Sequence, residues 1–412
     1  MSELYGVQGR IGASIADTPV KVVTELVFIG ITSSDEKVFT PIRASKKQDL
    51  IDNYGDVDLK TLGECAKYAF EDQRLDHAWF INLGGSGINS EADVAESDFD
   101  SALDAVDSIF LTKGVVPNLI CLPYTYKYTF EAAKTACARA LAISEKFYAQ
   151  VVFDQGLDAT NIKTLPSGYR LDETSTLDKD CAAYNGISCL GNVVWEKDED
   201  YNVVKSTPLS IVCSVLRTVQ DAKNQGEVPS RSVGNLDIPG CVGYSAVYQD
   251  TDYKEVYITQ YESHNNEWTS RGFILARNKG GLQFTTWGDH TAAFAEPYSG
   301  DELHRFDSSV AMQFHEINRF CIKWGGIIDN PITLNVRNMI ISSEQDYLNK
   351  LVSYGALIGN PVVEFRAIDN TNDTMLQGQF YFRGVTTTCI PLKFLDLNLV
   401  WTADGLKTLI SE

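Results

Sequence analysis

The sequence predicts a chain of mixed α/β and α+β class, and three observations carry that reading. Apolar, β-branched runs alternate with amphipathic helical stretches from residue 20 to residue 154, the order that builds a parallel or mostly parallel sheet covered by helices. Two long stretches of helical spacing then precede period-two runs near the C-terminus, as expected of an α+β part. A hydrophobic content of 44% is that of a globular chain.

The elements follow in order. Residues 1–19, MSELYGVQGRIGASIADTP, space Gly6, Gly9 and Gly12 three apart, which disfavours a helix by up to about 1 kcal/mol at each glycine. An extended arm and a frayed terminus are both open, although Leu4, Val7, Ile11 and Ile15 are apolar for a solvated tail. Residues 20–32 are strand-like, 45–55 are a short helix closed by Gly55, and 61–73 are an amphipathic helix leading into the strand HAWFINL, 77–83. Asp98 to Leu111 places Phe99, Leu103, Val106 and Ile109/Phe110 on one helical face. The strand 115–123, the helix 129–147 and the strand 149–154 complete the alternation.

From 155 to 265 the pattern is less regular, with turn-rich pieces, an apolar run at 209–219 and two Tyr-rich strand signals. FILAR and LQFTTWG are then joined by Asn278-Lys279-Gly280-Gly281, a hairpin signal. Phe306, Val310, Phe314, Ile317 and Cys321 follow helical spacing, as do Val336, Ile340, Leu348 and Leu351 over 333–354. The last stretch, 362–401, reads as three strands. Val362, Val363, Phe365 and Ile368 begin it, Asp369-Asn370-Thr371-Asn372-Asp373 turn the chain through side-chain bonds to the backbone, and Phe380 and Phe382 lie on the return. Leu395, Leu397, Leu399 and Trp401 then share one face of a closing strand.

Composition limits the function. At 412 residues more than one domain is expected, and the absence of repeats or Pro/Ser-rich linkers predicts modules packed together. A net charge of −20 disfavours nucleic acid and anionic membrane as partners. Nine cysteines without a CxxC pair, no signal-peptide pattern and no bilayer-length apolar run predict free thiols in a reducing cytoplasm.

Candidate chemistry is sparse. Gly84-Gly85-Ser86-Gly87 follows a strand, yet neither the Lys-Ser/Thr of a phosphate loop nor the spacing of a dinucleotide turn is there, so a surface turn is expected. His77, His264, His290, His304 and His315 include no i,i+4 pair of the zinc-binding kind. Asp289-His290 is a sequence neighbour pair, which does not make an oriented dyad. Ser245 lacks the second glycine of a nucleophile elbow, and Cys321 and Cys389 fall in apolar patterns where a thiol acts as a small hydrophobe. The expectation is a chain with no catalytic, cofactor-binding or metal site.

Several stretches, in order and spacing, resemble the contractile tail sheath family of long-tailed phages, R-type bacteriocins and related injection systems. GGLQFTTWGDHT, 280–291, is similar to the family's Leu-x-x-Trp-Gly-x-x-Thr segment, and Phe306-Asp307-Ser308-Ser309-Val310 opens a helix like the one downstream of it. KLVSYGALIGNP, 350–361, resembles its Gly-Ala-Leu-x-Gly turn. VEFRAIDNTNDTMLQGQFYFRGV resembles the strand, Asn-rich turn and return strand, and Pro391 to Val400 the closing segment. Upstream, TLGECAKYAFEDQ and HAWFINL are like the family's Ala-rich helix and apolar strand. Ile368-Asp369 stands where the family has Cys-Asp, and His290 where an Arg is expected.

The resemblance implies an outer α/β domain over 20–262, an inner C-terminal domain over 263–401 that packs on a tail tube in six-fold helical rings, and linker arms at 1–19 and 402–412 that add strands to neighbouring subunits. On that account the interface residues are Leu4, Val7, Ile11 and Ile15 of one arm, Leu406, Leu409 and Ile410 of the other, and Leu395, Leu397, Leu399 and Trp401 of the receiving edge. The implied function is mechanical: a non-enzymatic sheath subunit, needing no cofactor, that contracts to drive the tube through a target envelope. The implied partners are other copies, the tail tube protein, and baseplate and tail terminator proteins, with no nucleic acid and no membrane insertion. Assembly is expected in the bacterial cytoplasm, in a virion tail or a phage-tail-like particle. A non-contractile shell or secretion-system polymer subunit, and an α/β enzyme, are the alternatives.

Overall fold

Strand β1 (Leu26–Gly30) is buried from end to end, with Leu26 and Phe28 in one apolar layer and Val27 and Ile29 in another. Burial on both faces requires a covering layer on each side of the sheet. In the computed structural model, which describes residues 21–85, 87–128, 130–155, 186–199, 203–245, 269, 272–281, 283–292, 294 and 302–393, β1 lies inside an eight-stranded sheet. The order is β11 (Phe284–Trp287), β10 (Phe273–Asn278), β6 (Ile187–Leu190), β5 (Gln150–Gln155), β4 (Leu119–Leu122), β1, β3 (Ala78–Asn82) and β2 (Ile42–Ala44). The six strands from β10 to β3 are parallel, and β11 and β2 close the two ends antiparallel. The mostly parallel sheet expected from the sequence is present, and the hairpin at Asn278-Lys279-Gly280-Gly281 joins it from beyond residue 262.

Helices α1 (Lys47–Tyr54), α2 (Lys60–Ala66) and α5 (Leu209–Lys223) cover one face, and α3 (Glu96–Lys113) and α4 (Phe130–Phe147) the other. Helix α1 stops at Gly55, whose φ of 85° is open to glycine at no steric cost. The helix expected over 61–73 changes type: beyond Ala66 it widens into a π-helical turn over Lys67–Asp72, which buries Tyr68 and Ala69. The run 209–219, left without a type by its pattern, is α5, and every residue from Leu209 to Thr218 is buried.

A smaller antiparallel sheet, β8 (Val203–Pro208), β7 (Asn192–Lys197) and β9 (Gly243–Ser245), flanks this layer. The outer side of β11 is covered by segment 235–238: Asn235 N–H donates to Thr286 O at 2.7 Å, Thr286 N–H to Leu236 O at 2.9 Å and Ile238 N–H to Phe284 O at 2.9 Å. Gly288 ends β11 with φ at 115°, and a Cβ there would stand 2.7 Å from the Phe273 carbonyl oxygen. This gives a physical reason for the Trp-Gly pair: no side chain fits beside that carbonyl.

The C-terminal part is built from α6 (Asp307–Trp324), α7 (Leu334–Ser353) and a hairpin of β12 (Val362–Glu364) and β13 (Arg383–Val385). Thr333 caps α7 through its hydroxyl oxygen, which accepts the Val336 N–H. The Asn-rich stretch does bond back to its own backbone, but it also starts a short helix α8 (Asn372–Leu376) capped by Thr371. The return strand begins at Arg383, later than Phe380 and Phe382 suggested, because the Asn370 side chain already holds the Tyr381 backbone. The closing strand expected at 395–401 lies outside the described residues.

Candidate assembly surface

The apolar core beneath the hairpin is small. Val228, Met312, Leu348, Leu351, Ala356 and Leu357 form it, so polar contacts carry much of the attachment of this part to the sheet layer. The chief one is a buried charge cluster. Arg217 of α5, 1% exposed, donates from Nε to Asp221 at 2.9 and 3.0 Å, from one terminal nitrogen to Asp307 Oδ2 at 2.9 Å, and from the other to the Pro229 carbonyl at 3.1 Å. Asp307, 0% exposed, is the first residue of α6 and also accepts the Val233 N–H at 2.9 Å. Thr24 donates to Asp221 at 2.8 Å, and Gln150 of β5 donates to the Asp307 carbonyl at 2.9 Å. Burial pushes both aspartate pKa values up; it also works against the Arg217 charge, which the two carboxylates outweigh and hold above its ordinary value. The signal for this cluster was available in the sequence: an Arg inside an apolar run with Asp at i+4.

A second polar cluster joins α6 to α7. Glu344 takes an ion pair from Arg319 and a 2.8 Å bond from the Trp324 indole N–H, with Lys323 at 3.7 Å. The Arg319 guanidinium lies 3.5 Å from the centre of the Tyr347 ring, whose hydroxyl is 3.0 Å from His315 Nε2. Burial, and then the Arg319 charge, push His315 down to about 4, so it is neutral near pH 7. Beyond Met312 the inward face of α6 is therefore mostly polar, with His315, Asn318 and Arg319 buried. This corrects the second half of the expected stripe: Phe306 and Val310 are buried, but Phe314 and Ile317 are only half-buried and Cys321 is exposed, because the polar side chains find partners on α7 and on the Tyr148 carbonyl.

Between α6, α7 and the hairpin lies a cavity of about 310 Å³, lined by Glu316, Phe320, Tyr347, Leu348, Val363 and Phe382 among others. Glu316 Oε1 and Arg319 Nε are buried at its wall without a hydrogen-bond partner. Burial pushes Glu316 up to about 7.

Exposed apolar groups concentrate here. Of the fifteen large hydrophobic residues exposed among those described, eleven fall in 302–393, including Ile368, Leu376, Tyr381 and Val385 around the hairpin. The same segment holds eight Lys and Arg against nine Asp and Glu, a net charge of −1, so the rest of the chain carries −19 of the total −20. A segment with almost no net charge and many exposed apolar side chains has the character of a protein-contacting side.

The interface residues named from the sequence all lie outside the described residues: Leu4, Val7, Ile11, Ile15, Leu395, Leu397, Leu399, Trp401, Leu406, Leu409 and Ile410. Asp289 and His290 are built into packing. His290 stacks on Phe294 with ring centres 3.5 Å apart, burial pushes it down to about 4, and Asp289 is ion-paired with Lys393. Cys389 is half-buried and donates to the Gly355 carbonyl at 3.0 Å. Among the described residues no group of three or more His, Cys, Asp or Glu is placed to hold a metal ion, and no helix is long and apolar enough to cross a membrane.

No family model matches the sequence, and no curated protein matches it either. Solved structures do match along nearly the whole length. The helical sheath of the anti-feeding prophage in its contracted state aligns with a TM-score of 0.68 at 14% identity, covering 98% of this chain and 100% of that one. The contracted sheath complex of PVC, an extracellular contractile injection system, gives 0.64 at 13% identity over 98% and 99%. A sheath tail protein of Listeria innocua gives 0.56 at 11% identity over 91% and 98%. This chain has the fold of those sheath proteins.

Proposed function

We propose that this chain, which has the fold of contractile sheath proteins, is itself a sheath subunit: a non-enzymatic structural protein that polymerises helically around a tail tube and contracts to drive that tube through a target envelope. The observation that carries the reading is the agreement of a whole-length fold match with a neutral, apolar-studded C-terminal surface that a lone subunit leaves exposed. The α/β layer then faces solvent, while α6, α7 and the hairpin face inward to the tube and to neighbouring copies. Six-fold rings fit a matching chain from the anti-feeding prophage baseplate, whose structure is six-fold symmetrised. The arms at 1–19 and 402–412 link subunits by strand addition, and baseplate and tail terminator proteins bound the polymer. Assembly takes place in the bacterial cytoplasm.

Contraction on this reading needs no nucleotide. Rigid subunits exchange one set of mutual contacts for another, and a few kcal/mol per subunit, summed along the polymer, sets the direction. The test is negative-stain microscopy of the purified full chain with a chelator present. Tubular or helical polymers are expected; closed rings alone, or strict dependence on metal or nucleotide, would overturn the reading.

A further inference from the structure

The cavity between α6, α7 and the hairpin holds two polar atoms that the fold itself leaves unmet. We propose that this cavity is a binding site for a small neutral primary carboxamide, whose N–H donates to Glu316 Oε1 and whose carbonyl oxygen accepts the Arg319 Nε–H. The proposal goes beyond the sheath reading and does not rest on it.

The other polar groups of the wall are already bonded. Glu344 has one oxygen on Arg319 and the other on the Trp324 indole N–H. The Tyr347 hydroxyl lies 3.0 Å from His315 Nε2. Gln313 Nε2 donates to the Thr386 hydroxyl oxygen at 3.3 Å, and that hydroxyl also favours the ionised Glu316 carboxyl. What remains is one acceptor, Glu316 Oε1, and one donor, Arg319 Nε, both buried without a partner. Residues 316 and 319 are i,i+3 neighbours on α6, so the two share one helical face. A buried donor and a buried acceptor each cost stability when unmet, and a group that donates and accepts side by side meets both at once.

Charge selects among such groups. Glu316 and Glu344 stand against Arg319 and Lys323, two of each sign, so with Glu316 ionised the cluster is balanced. An ammonium would suit Glu316 but repel the Arg319 guanidinium. A carboxylate would suit Arg319 but bring a third acid beside two. A carboxamide adds no charge to be buried. The remaining wall is apolar, with Phe320 and Leu348 from the helices and Val363 and Phe382 from the hairpin. A volume of about 310 Å³ is that of a small-molecule pocket, and one aromatic ring with its amide fits it. An occupant touches helices and hairpin together, so binding also holds the one against the other.

Three probes matched in their ring test the assignment by calorimetric titration into the full chain: benzamide, acetophenone, which keeps the carbonyl but lacks the N–H, and benzoate. At pH 8 Glu316, pushed up by burial to about 7, is mostly ionised beside Arg319, Glu344, Tyr347 and Thr386. Benzamide should bind with a Kd of about 1 mM or tighter. Acetophenone and benzoate should bind at least about tenfold more weakly, the loss of a bond to a charged group. Glu316→Leu should weaken benzamide by about the same factor and leave acetophenone unchanged or tighter, a reversal that a merely structural role would not produce. Should that variant fail to fold, the ranking of the three probes on the parent decides. No benzamide binding up to about 20 mM overturns the site. Benzamide and acetophenone binding alike, or benzoate binding as tightly as benzamide, overturns the carboxamide assignment, and unchanged benzamide affinity in Glu316→Leu places the binding elsewhere. The ranking is measured without assembly, so its failure leaves the sheath reading standing, and a chain that forms no polymers leaves the ranking standing.

Discussion

Replacing Arg217 by Met should unfasten α6 from the sheet layer. The guanidinium makes its bonds to Asp221, Asp307 and the Pro229 carbonyl in a site where all three charged side chains are at most 2% exposed. Methionine fills much of the volume but leaves two buried carboxylates facing each other without their cation, with Thr24, the Val233 N–H, the Ser232 hydroxyl and the Ser308 N–H among their remaining donors. Removing one partner of a buried ion pair costs about 3–5 kcal/mol. An unfolding entropy of about 2.1 cal/mol/K per residue over this length gives a drop of about 3–6 °C in melting temperature if the chain melts as one unit. The effect should depend on pH. Burial already raises the pKa of Asp221 and Asp307 in the folded chain, and loss of the cation raises them further. The folded variant then holds protons that the unfolded chain has released, so its stability falls as pH rises and the deficit is larger at pH 8 than at pH 5. Adding Asp221→Asn and Asp307→Asn should recover part of the loss. Circular-dichroism melts of the parent, Arg217→Met and the triple variant at both pH values decide the matter. An Arg217→Met melt within 1 °C of the parent at pH 8 would mean that water reaches the cluster and the reasoning is wrong.

Asp154 is pushed up to about 7 by burial beside the start of α5, so stability should fall as pH rises from about 4 through about 7, and Asp154→Asn should flatten that slope in urea titrations. Trp324→Phe removes the indole bond to Glu344 and should cost about 1.5–3 kcal/mol by the same measurement, with an unchanged midpoint counting against the polar clasp between α6 and α7. A chain lacking residues 1–19 should keep its helix and strand content yet sediment as a monomer; polymers of normal appearance would remove the linking role of that arm. Truncation after Thr402 should likewise leave melting nearly unchanged while abolishing ordered sheaths, and intact sheaths would make the C-terminal arm dispensable.

The sheet layer was legible because its strands are buried on both faces, and runs such as Leu26–Gly30 and Leu119–Leu122 show that as unbroken apolar stretches between amphipathic helices. Helix α5 was not: its helical period is present in Ser210, Ser214, Arg217, Thr218 and Asp221, but the density of apolar residues between them made the stretch read as an apolar run without a type. Its Arg217 and Asp221 spacing was visible, but the third member, Asp307, is 90 residues away and no local pattern pairs them. The hairpin was foreseen and its register was not, because Asn370 takes a backbone partner that the strand would otherwise use. Gln345, whose side chain accepts the Val363 N–H and donates to the Pro361 carbonyl, looked like any polar residue on a helix surface. Its meaning depends on where β12 passes, and that is set by tertiary packing alone.

Copy number gives the covered end of the large sheet a further meaning. In the proposed sheath, subunits held at very high local concentration, each presenting an eight-stranded sheet, would run the hazard of sheets fusing end to end into fibres. Here one terminal strand, β2, is three residues long with Arg43 exposed at its centre, and the other, β11, is screened by backbone bonds from 235–238. The sheet with the most strand to offer is thus closed to templating. The small hairpin, three pairs long, is too short to propagate cross-β growth. Such a chain can be crowded side by side, released and crowded again without sliding irreversibly into aggregate, a requirement on any protein whose working form is a polymer.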